Sequence, residues 1–480
     1  MESPVEAARA DESAQAPPRR VGAISRGQRV AAVALIAVAC VGRFLFLETS
    51  PPGFFADEAA GAAHVMCLQR TGKNCHDQAW PLFSAAAGGG VTTPTYLYLT
   101  TLWAWLFGTS PGAFRAEAAL VGVVTLLGLY RLAAHLLGAE YALWVALSGA
   151  IAPWSFQFSR IAWDPPLAPC FLIWGLFLLV ARRGTASAAA AGALWALAMY
   201  SYPPTRLQVP LMLGGIACFT RWAQLGVARL VLCTACLCVA ALPLANAILF
   251  EGAQDRFGLV GIFSAANANP VAGAGAAAIA WQVFENVALH LDPRFLFITG
   301  DSSLRHSTGL FGMLSGLDLL ALLAAPALVL SRGKCWKSQL DPVAQQRLRA
   351  VIGLAALGIL SGILPAALTW ESLPHSLRAI GAWPFLCLLS GALLGVCVAS
   401  WRWLPVAALA VAYGFSALFI AHYFARYPEL SHLWWDTVVL DRAREAQISG
   451  DWSPFEASVR DAPLAAQYYR MHFGAEKPPD

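Results

Sequence analysis

Apolar runs of roughly 18 to 25 residues recur along most of the chain, each long enough to cross a bilayer as one helix. They fall at 30–47, 112–137, 139–158, 165–182, 186–202, 206–220, 228–250, 310–331, 348–370, 378–399 and 402–422. Lipid offers the backbone no hydrogen-bond partners, so such runs fold as helices. The chain therefore reads as an all-α polytopic membrane protein with about 11 transmembrane helices, or as many as about 13. Composition agrees. Of 480 residues, 58% are hydrophobic and 12% charged, against about 25% charged in a soluble domain. The net charge of +4 is small and its basic residues are scattered, which speaks for membrane lipids and against nucleic acid as partners.

A polar, arginine-bearing segment at 1–28 reads as a disordered cytoplasmic tail, and the run that follows reads as an uncleaved signal anchor. "AVAC", ending at Cys40, resembles a lipobox only weakly. One short apolar piece, 95–107, decides the topology. If it crosses, the basic loops at Arg182–Arg183 and 331–339 face outward. If it lies in the interface or begins a bent helix, those loops are cytoplasmic, as the positive-inside rule favours. The N-terminus is then inside and the C-terminus outside. The membrane part is expected at 29–424, with outer loops at 48–111 and 251–309. The stretch 425–480 is expected as a small polar non-cytoplasmic tail, too short for much of a core.

With that topology, charge sorts by kind. Simple basic loops face inward. Mixed clusters face outward: Asp57 and Glu58; Arg160 and Asp164; Tyr202 and Arg206; Asp301, Arg305 and His306; Glu371, His375 and Arg378. Ionisable groups converging at span ends mark a functional site. Asp57 follows the aromatic "GFFA", and a partly desolvated carboxylate there suits a general base. Arginines on the same face suit phosphate, whose oxygens a guanidinium grips in a bidentate way. Each group also has a plainer reading. Arg160 and Asp164 stand one helical turn apart and suit a structural pair. Arg206 and Arg378 suit snorkelling to headgroups. Asp301 and Arg305 suit a turn, and His306 and His375 suit the interface. Trp434 and Trp435 suit packing, or the docking of an acceptor.

Eleven cysteines occur, mostly inside apolar runs. Cys233, Cys236 and Cys238 read as small apolar filler rather than ligands. Cys67 and Cys75 share the first outer loop. Outside the cytosol they could form a disulfide; otherwise they are free thiols. His64 and His76 lack metal-ligand spacing.

In sum these motifs resemble the C-type superfamily of integral-membrane glycosyltransferases, in the branch of protein O-mannosyltransferases and lipid A aminoarabinose transferases. An Asp-Glu pair, here Asp57-Glu58, opens the first outer loop. "RTGKNCHDQAWPLF" and "TTPTYLYLT" follow, then "SRIAWDPPLAPCFL", "YSYPPTRLQVP" and "PHSLRAIGAWP". "FLFITGDSSLRHSTGLFGML" resembles a segment of bacterial members. The resemblance covers roughly 30 to 425, and five motifs in the right order make it specific. It implies an inverting transfer from a polyprenyl-phosphate sugar to an acceptor hydroxyl on a lipid, glycan or protein, at the outer face of a bacterial inner membrane. Asp57 would be the base and Glu58 its support or a metal-associated residue. Arg160, Arg206, Arg378 and Arg305 would bind the donor phosphate. Asp164, His375, Asp301 and His306 would meet substrate or a divalent ion whose identity stays open. Two other readings compete. A secondary transporter would show repeats and midplane charges, and neither is visible. A polysaccharide polymerase or ligase would keep its key residues in one large late loop, whereas 251–309 is rich in Ala and Gly at its middle and the acidic pair comes early.

Overall fold

The computed structural model describes residues 24–85, 91–218, 226–265, 269–331 and 342–474. The expected tail thus lies largely outside the described residues, as do Arg221 and the basic loop after Ser331. Helices dominate: α1 (Arg26–Gly42), α2 (Ala56–Thr71), α3 (Pro94–Phe107), α4 (Pro111–Leu137), α5 (Ala139–Ile151), α6 (Leu167–Ala181), α7 (Thr185–Ser201) and α8 (Thr205–Cys218) come first. Then follow α9 (Val227–Phe250), α10 (Ala276–His290), α11 (Gly316–Ser331), α12 (Pro342–Ala367), α13 (Trp383–Ser400), α14 (Leu404–Ala425), α15 (Thr437–Ser449) and α16 (Pro463–Phe473). Two two-residue strands, Ser84–Ala85 and Val91–Thr92, pair antiparallel just before α3.

Each expected apolar run overlaps a helix, although 43–47 is turn, 139–158 breaks at Ala152 and 310–315 is not helical. Among the described residues, five helical stretches are by themselves long and apolar enough to cross a bilayer: Pro111–Leu137, Val227–Phe250, Val343–Ala367, Ile380–Ser400 and Leu404–Ala425. This is an integral membrane protein. The short piece at 95–107 is the 14-residue α3, which at 1.5 Å per residue rises about 21 Å, less than the ~30 Å hydrocarbon core. Helices α6, α7 and α9 pack side by side, and α13 packs on α5, α11 and α12. Glycine permits the closest approaches: a Cβ at Gly192 of α7 would run into the Cys233 carbonyl of α9. Such small residues are what let membrane helices touch backbone to backbone.

Above this bundle lies a second apolar core. Phe54, Val65, Leu97 and Phe114 meet Phe455, Tyr468 and Tyr469, all fully buried or nearly so. Helix α16 lies along α2, the Tyr469 hydroxyl donates to the Phe54 carbonyl at 2.7 Å, and the Ala56 amide donates to Asp436 Oδ2 at 2.9 Å. Residues beyond 425, expected as a small tail too short for much of a core, pack into the core of the loop 48–111. Their polar sequence conceals this because apolar residues return at helical spacing on one face only. Cys67 and Cys75, also in this layer, are joined as a disulfide.

The seam between the two cores carries buried charge. Arg115, at the start of α4, and Glu58 are both inaccessible to solvent, with Arg115 Nη2 at 2.8 Å from Glu58 Oε2. Arg115 also donates to the carbonyls of Leu47, Pro51 and Gly53 at 2.7–3.0 Å. Removing one partner of such a pair strands a buried charge, which typically costs about 3–5 kcal/mol. Arg115→Ala should lower the melting midpoint of the purified protein sharply, and more than Arg444→Ala, whose partner Asp441 is exposed. Equal shifts would show that the buried pair is not what secures this seam.

Candidate active site

Glu58 is fixed from every side. Its Oε1 accepts from Arg115 Nε at 3.0 Å and from the Ala162 amide at 2.9 Å, and its Oε2 accepts from the Phe55 amide at 3.1 Å. Adjacent residues on a helix point about 100° apart, so locking Glu58 inward turns Asp57 outward. Asp57 opens onto a cavity of about 690 Å³. Segments distant in sequence supply its wall: Asp57 and His64 from α2; Thr93 and Tyr96 at the start of α3; Asp164; Tyr202 and Arg206; Arg256; His375 and Arg378.

The two cavity carboxylates differ. Asp57 lies in the first turn of α2, open to the cavity but ringed by protein. Burial raises its pKa, Arg305 and Arg256 pull it back, and Asp436 and Glu58 add to the rise. Among the described residues no hydrogen-bond donor occupies its carboxylate. Asp164 sits between spans and accepts from Thr93 Oγ1 at 2.9 Å. Burial pushes its pKa up to about 7, against that hydrogen bond, with the Asp57 charge adding to the rise. One carboxylate is thus unencumbered and the other is poised to hold or give a proton near neutrality.

The expected arginines divide. Arg206 reaches the cavity from α8. Its Nη1 donates to the Ala253 carbonyl at 2.7 Å and to Gln254 Oε1 at 2.6 Å, while its Nη2 is buried without a partner among the described residues. Arg378 is on the wall too, held by Glu371 Oε1 at 2.7 Å and Thr369 Oγ1 at 3.0 Å. Arg305 is not among the lining residues: its guanidinium stacks on the Phe55 ring at 3.9 Å and faces Asp57 and Asp436 electrostatically. Arg160 is not brought to the cavity. It is wholly buried, and its two terminal nitrogens donate to the carbonyls of Gly42, Arg43, Leu45 and Ser50 at 2.6–2.8 Å. Nor does it pair with Asp164, because residues 159–164 are not helical and the one-turn spacing does not apply. Trp435 is buried, and Trp434 lies 5.6 Å from the Arg305 guanidinium.

Beside the cavity, Asp301, His306 and His375 offer ligand atoms that all lie within 4.8 Å of one another. Asp301 Oδ2 is 3.3 Å from His306 Nδ1 and accepts from the Ser376 amide at 2.7 Å and hydroxyl at 2.8 Å. Burial alone would push the Asp301 carboxyl up, but the hydrogen bond and charge of His306 hold it well below its usual range. Burial drives His375 well down, with His306 and Arg378 adding repulsion, so its imidazole is neutral. One carboxylate and two imidazoles are donors of the kind that hold a divalent ion. A tetrahedron with legs of about 2.0–2.1 Å has edges of about 3.3 Å, and a ligating carboxylate keeps its own hydrogen bonds.

Sequence reading overlooked Arg115, Thr93 and Arg256. Arg115 and Glu117 are two charges at the head of an apolar run, which could have flagged them. Thr93 and Arg256 carry no such local signal.

The Asp164 shift makes stability depend on pH. In the fold it keeps its proton up to about pH 7, whereas the unfolded chain releases it near pH 4. The folded state binds the extra proton between these values, so stability falls as pH rises through that window. The melting midpoint should drop between about pH 4 and about pH 7, and Asp164→Asn should flatten the slope. An unchanged slope in that variant would assign the titration to another group.

Residues 91–248 match the family described as dolichyl-phosphate-mannose-protein mannosyltransferase. Among solved structures the chain is similar to ArnT from Cupriavidus metallidurans bound to undecaprenyl phosphate, with 14% identity, 92% of this chain and 75% of that chain covered, and a TM-score of 0.48. It is similar to AglB from Archaeoglobus fulgidus in complex with an inhibitory peptide and a dolichol-phosphate, with 13% identity, coverage of 95% and 62%, and a TM-score of 0.45. The same archaeal oligosaccharyltransferase in complex with Zn and sulfate gives 13% identity, coverage of 81% and 52%, and a TM-score of 0.45. No curated protein sequence matches significantly. The family match thus covers the helical stretch 91–248, about a third of the chain.

Proposed function

We propose that this protein is a membrane glycosyltransferase that moves a sugar from a polyprenyl-phosphate carrier to an acceptor hydroxyl. One observation carries the reading: a single cavity joins an unencumbered carboxylate, Asp57, to a buried arginine nitrogen without a partner, Arg206 Nη2. The family matched at 91–248, which takes its name from a dolichyl-phosphate sugar, supports the donor class.

Asp57 accepts the proton of the acceptor hydroxyl. The oxygen attacks the anomeric carbon as the bond from that carbon to the phosphate oxygen breaks, and the configuration inverts. The polyprenyl phosphate departs with the electron pair. Arg206, with Arg378 and Arg256 on the same wall, stabilises the charge that develops on it, and Asp164 holds a hydroxyl of sugar or acceptor. Glu58 and Arg160 act by fixing the frame, and Arg305 by setting the charge beside Asp57. Asp301, His306 and His375 would hold a divalent ion, which would supply further positive charge near the departing phosphate.

The disulfide supports an outer, oxidising face for the cavity. The short α3 supports the topology with the N-terminus inside. The bacterial inner membrane is the setting this reading proposes, with residues 29–424 as the membrane unit. The sugar and acceptor are to be identified by the transfer product.

Asp57→Asn should lower transfer by about 10²- to 10⁴-fold, the usual worth of a general base, with the lipid-linked sugar accumulating in membranes. Wild-type product at matched expression would remove Asp57 from the mechanism. Arg206→Ala should raise the apparent KM for the lipid donor more than it lowers kcat, and unchanged kinetics would remove it from the phosphate site. Metal content is a separate measurement. Purified protein dialysed against zinc should retain about one ion per chain by elemental mass spectrometry. His306→Gln should lose it, and equal content would place any ion elsewhere.

A further inference from the structure

A second cavity, of about 840 Å³, lies at the other end of the helices. Arg183, Arg229, Arg347, Arg349 and His135 line it, and among the described residues no carboxylate does. Among the described residues none of the four arginines has an acidic partner. Arg229 is braced where α6 ends, with Nη2 donating to the Leu179 carbonyl at 2.6 Å and to the Arg182 carbonyl, and its Nε is buried without a partner. The other three arginines are exposed. The rest of the wall is apolar, chiefly Val180, Ile216, Leu354 and Leu357.

Helix α9 links the two cavities. Arg229 lines this one and Ile248 lines the catalytic one. Nineteen residues at 1.5 Å each separate them by about 28 Å, close to the hydrocarbon thickness. Helix α12 runs the same way, with Arg347 and Arg349 at this end and Pro365 at the other. The basic cavity therefore opens at the leaflet opposite the catalytic face. Uncompensated cations beside an apolar wall match a molecule with a phosphate head and hydrocarbon tail.

We propose that this cavity binds the headgroup of an anionic phospholipid from that leaflet, its phosphate on Arg183, Arg347 and Arg349 and an acyl chain along Leu354 and Leu357. The site is separate from the transfer reaction and does not rest on its assignment. A lipid seated there would tie the ends of α6, α9 and α12 together.

The test uses the full chain in nanodiscs of phosphatidylcholine doped with diphosphatidylglycerol, followed by detergent extraction and native mass spectrometry. Wild type should retain diphosphatidylglycerol in preference to phosphatidylcholine. The triple variant Arg183→Gln, Arg347→Gln, Arg349→Gln should retain about tenfold less, since each basic residue near the surface adds to the attraction. The corresponding triple Lys variant should keep most of it, which separates lost charge from a disturbed fold; loss in the Lys variant as well would count against a charge-based site. Equal retention by wild type and the Gln variant, or equal capture of phosphatidylcholine, would overturn the proposal. Displacement of the lipid by millimolar inorganic phosphate would also overturn it, in favour of a free-phosphate site.

Discussion

The guanidinium of Arg115 gathers almost everything near the cavity. It holds both oxygens of Glu58 and three carbonyls of the loop from Leu47 to Gly53. Arg160 fastens the end of α1 and the same loop through the carbonyls of Gly42, Arg43, Leu45 and Ser50. Two buried arginines thus replace the hydrogen bonds that an irregular segment cannot make within itself where water is excluded. The cost of burying these cations is offset because nearly every N–H meets an oxygen. The result is a rigid entry into α2, and with it a fixed direction for Asp57.

That rigidity explains why two adjacent acids have such different surroundings. Glu58 closes the helix end and spends every lone pair on structure. Asp57, one residue earlier, is left with open space and nearby cations. Preorganised charge facing a cavity of low polarity is the arrangement in which electrostatic stabilisation is strongest. Asp164 adds a second carboxylate whose pKa is set apart from an ordinary one, and such divergence within one site separates groups that hold protons from groups that take them.

Much of this was legible in the chain. The apolar runs located the five helices long and apolar enough to cross a bilayer among the described residues, because length and hydrophobicity act locally. The charged clusters read from the sequence include Asp57, Asp164, Arg206, His375 and Arg378, and all five line one cavity. The roles within the clusters were not legible. Arg160 resembles a phosphate ligand in sequence, but its partners are carbonyls more than a hundred residues away. Thr93 and Arg256 have no local mark at all. The polar composition after residue 425 hid a packing face, because an apolar stripe on a short helix is diluted by the charges around it. The Asp301–His306–His375 group needs two loops to meet, and spacing along one segment cannot reveal that.

The contact between Ala56 and Asp436 spans 380 residues. The amide that opens α2 finds its oxygen only after nearly the whole chain has been made. At roughly 5–20 residues per second of synthesis, that interval is about 20 to 75 seconds. During it, residues 48–85 lack Asp436 and the Tyr469 that seals their core. The helix that carries Asp57 is thus among the first to be made and among the last to gain its partners.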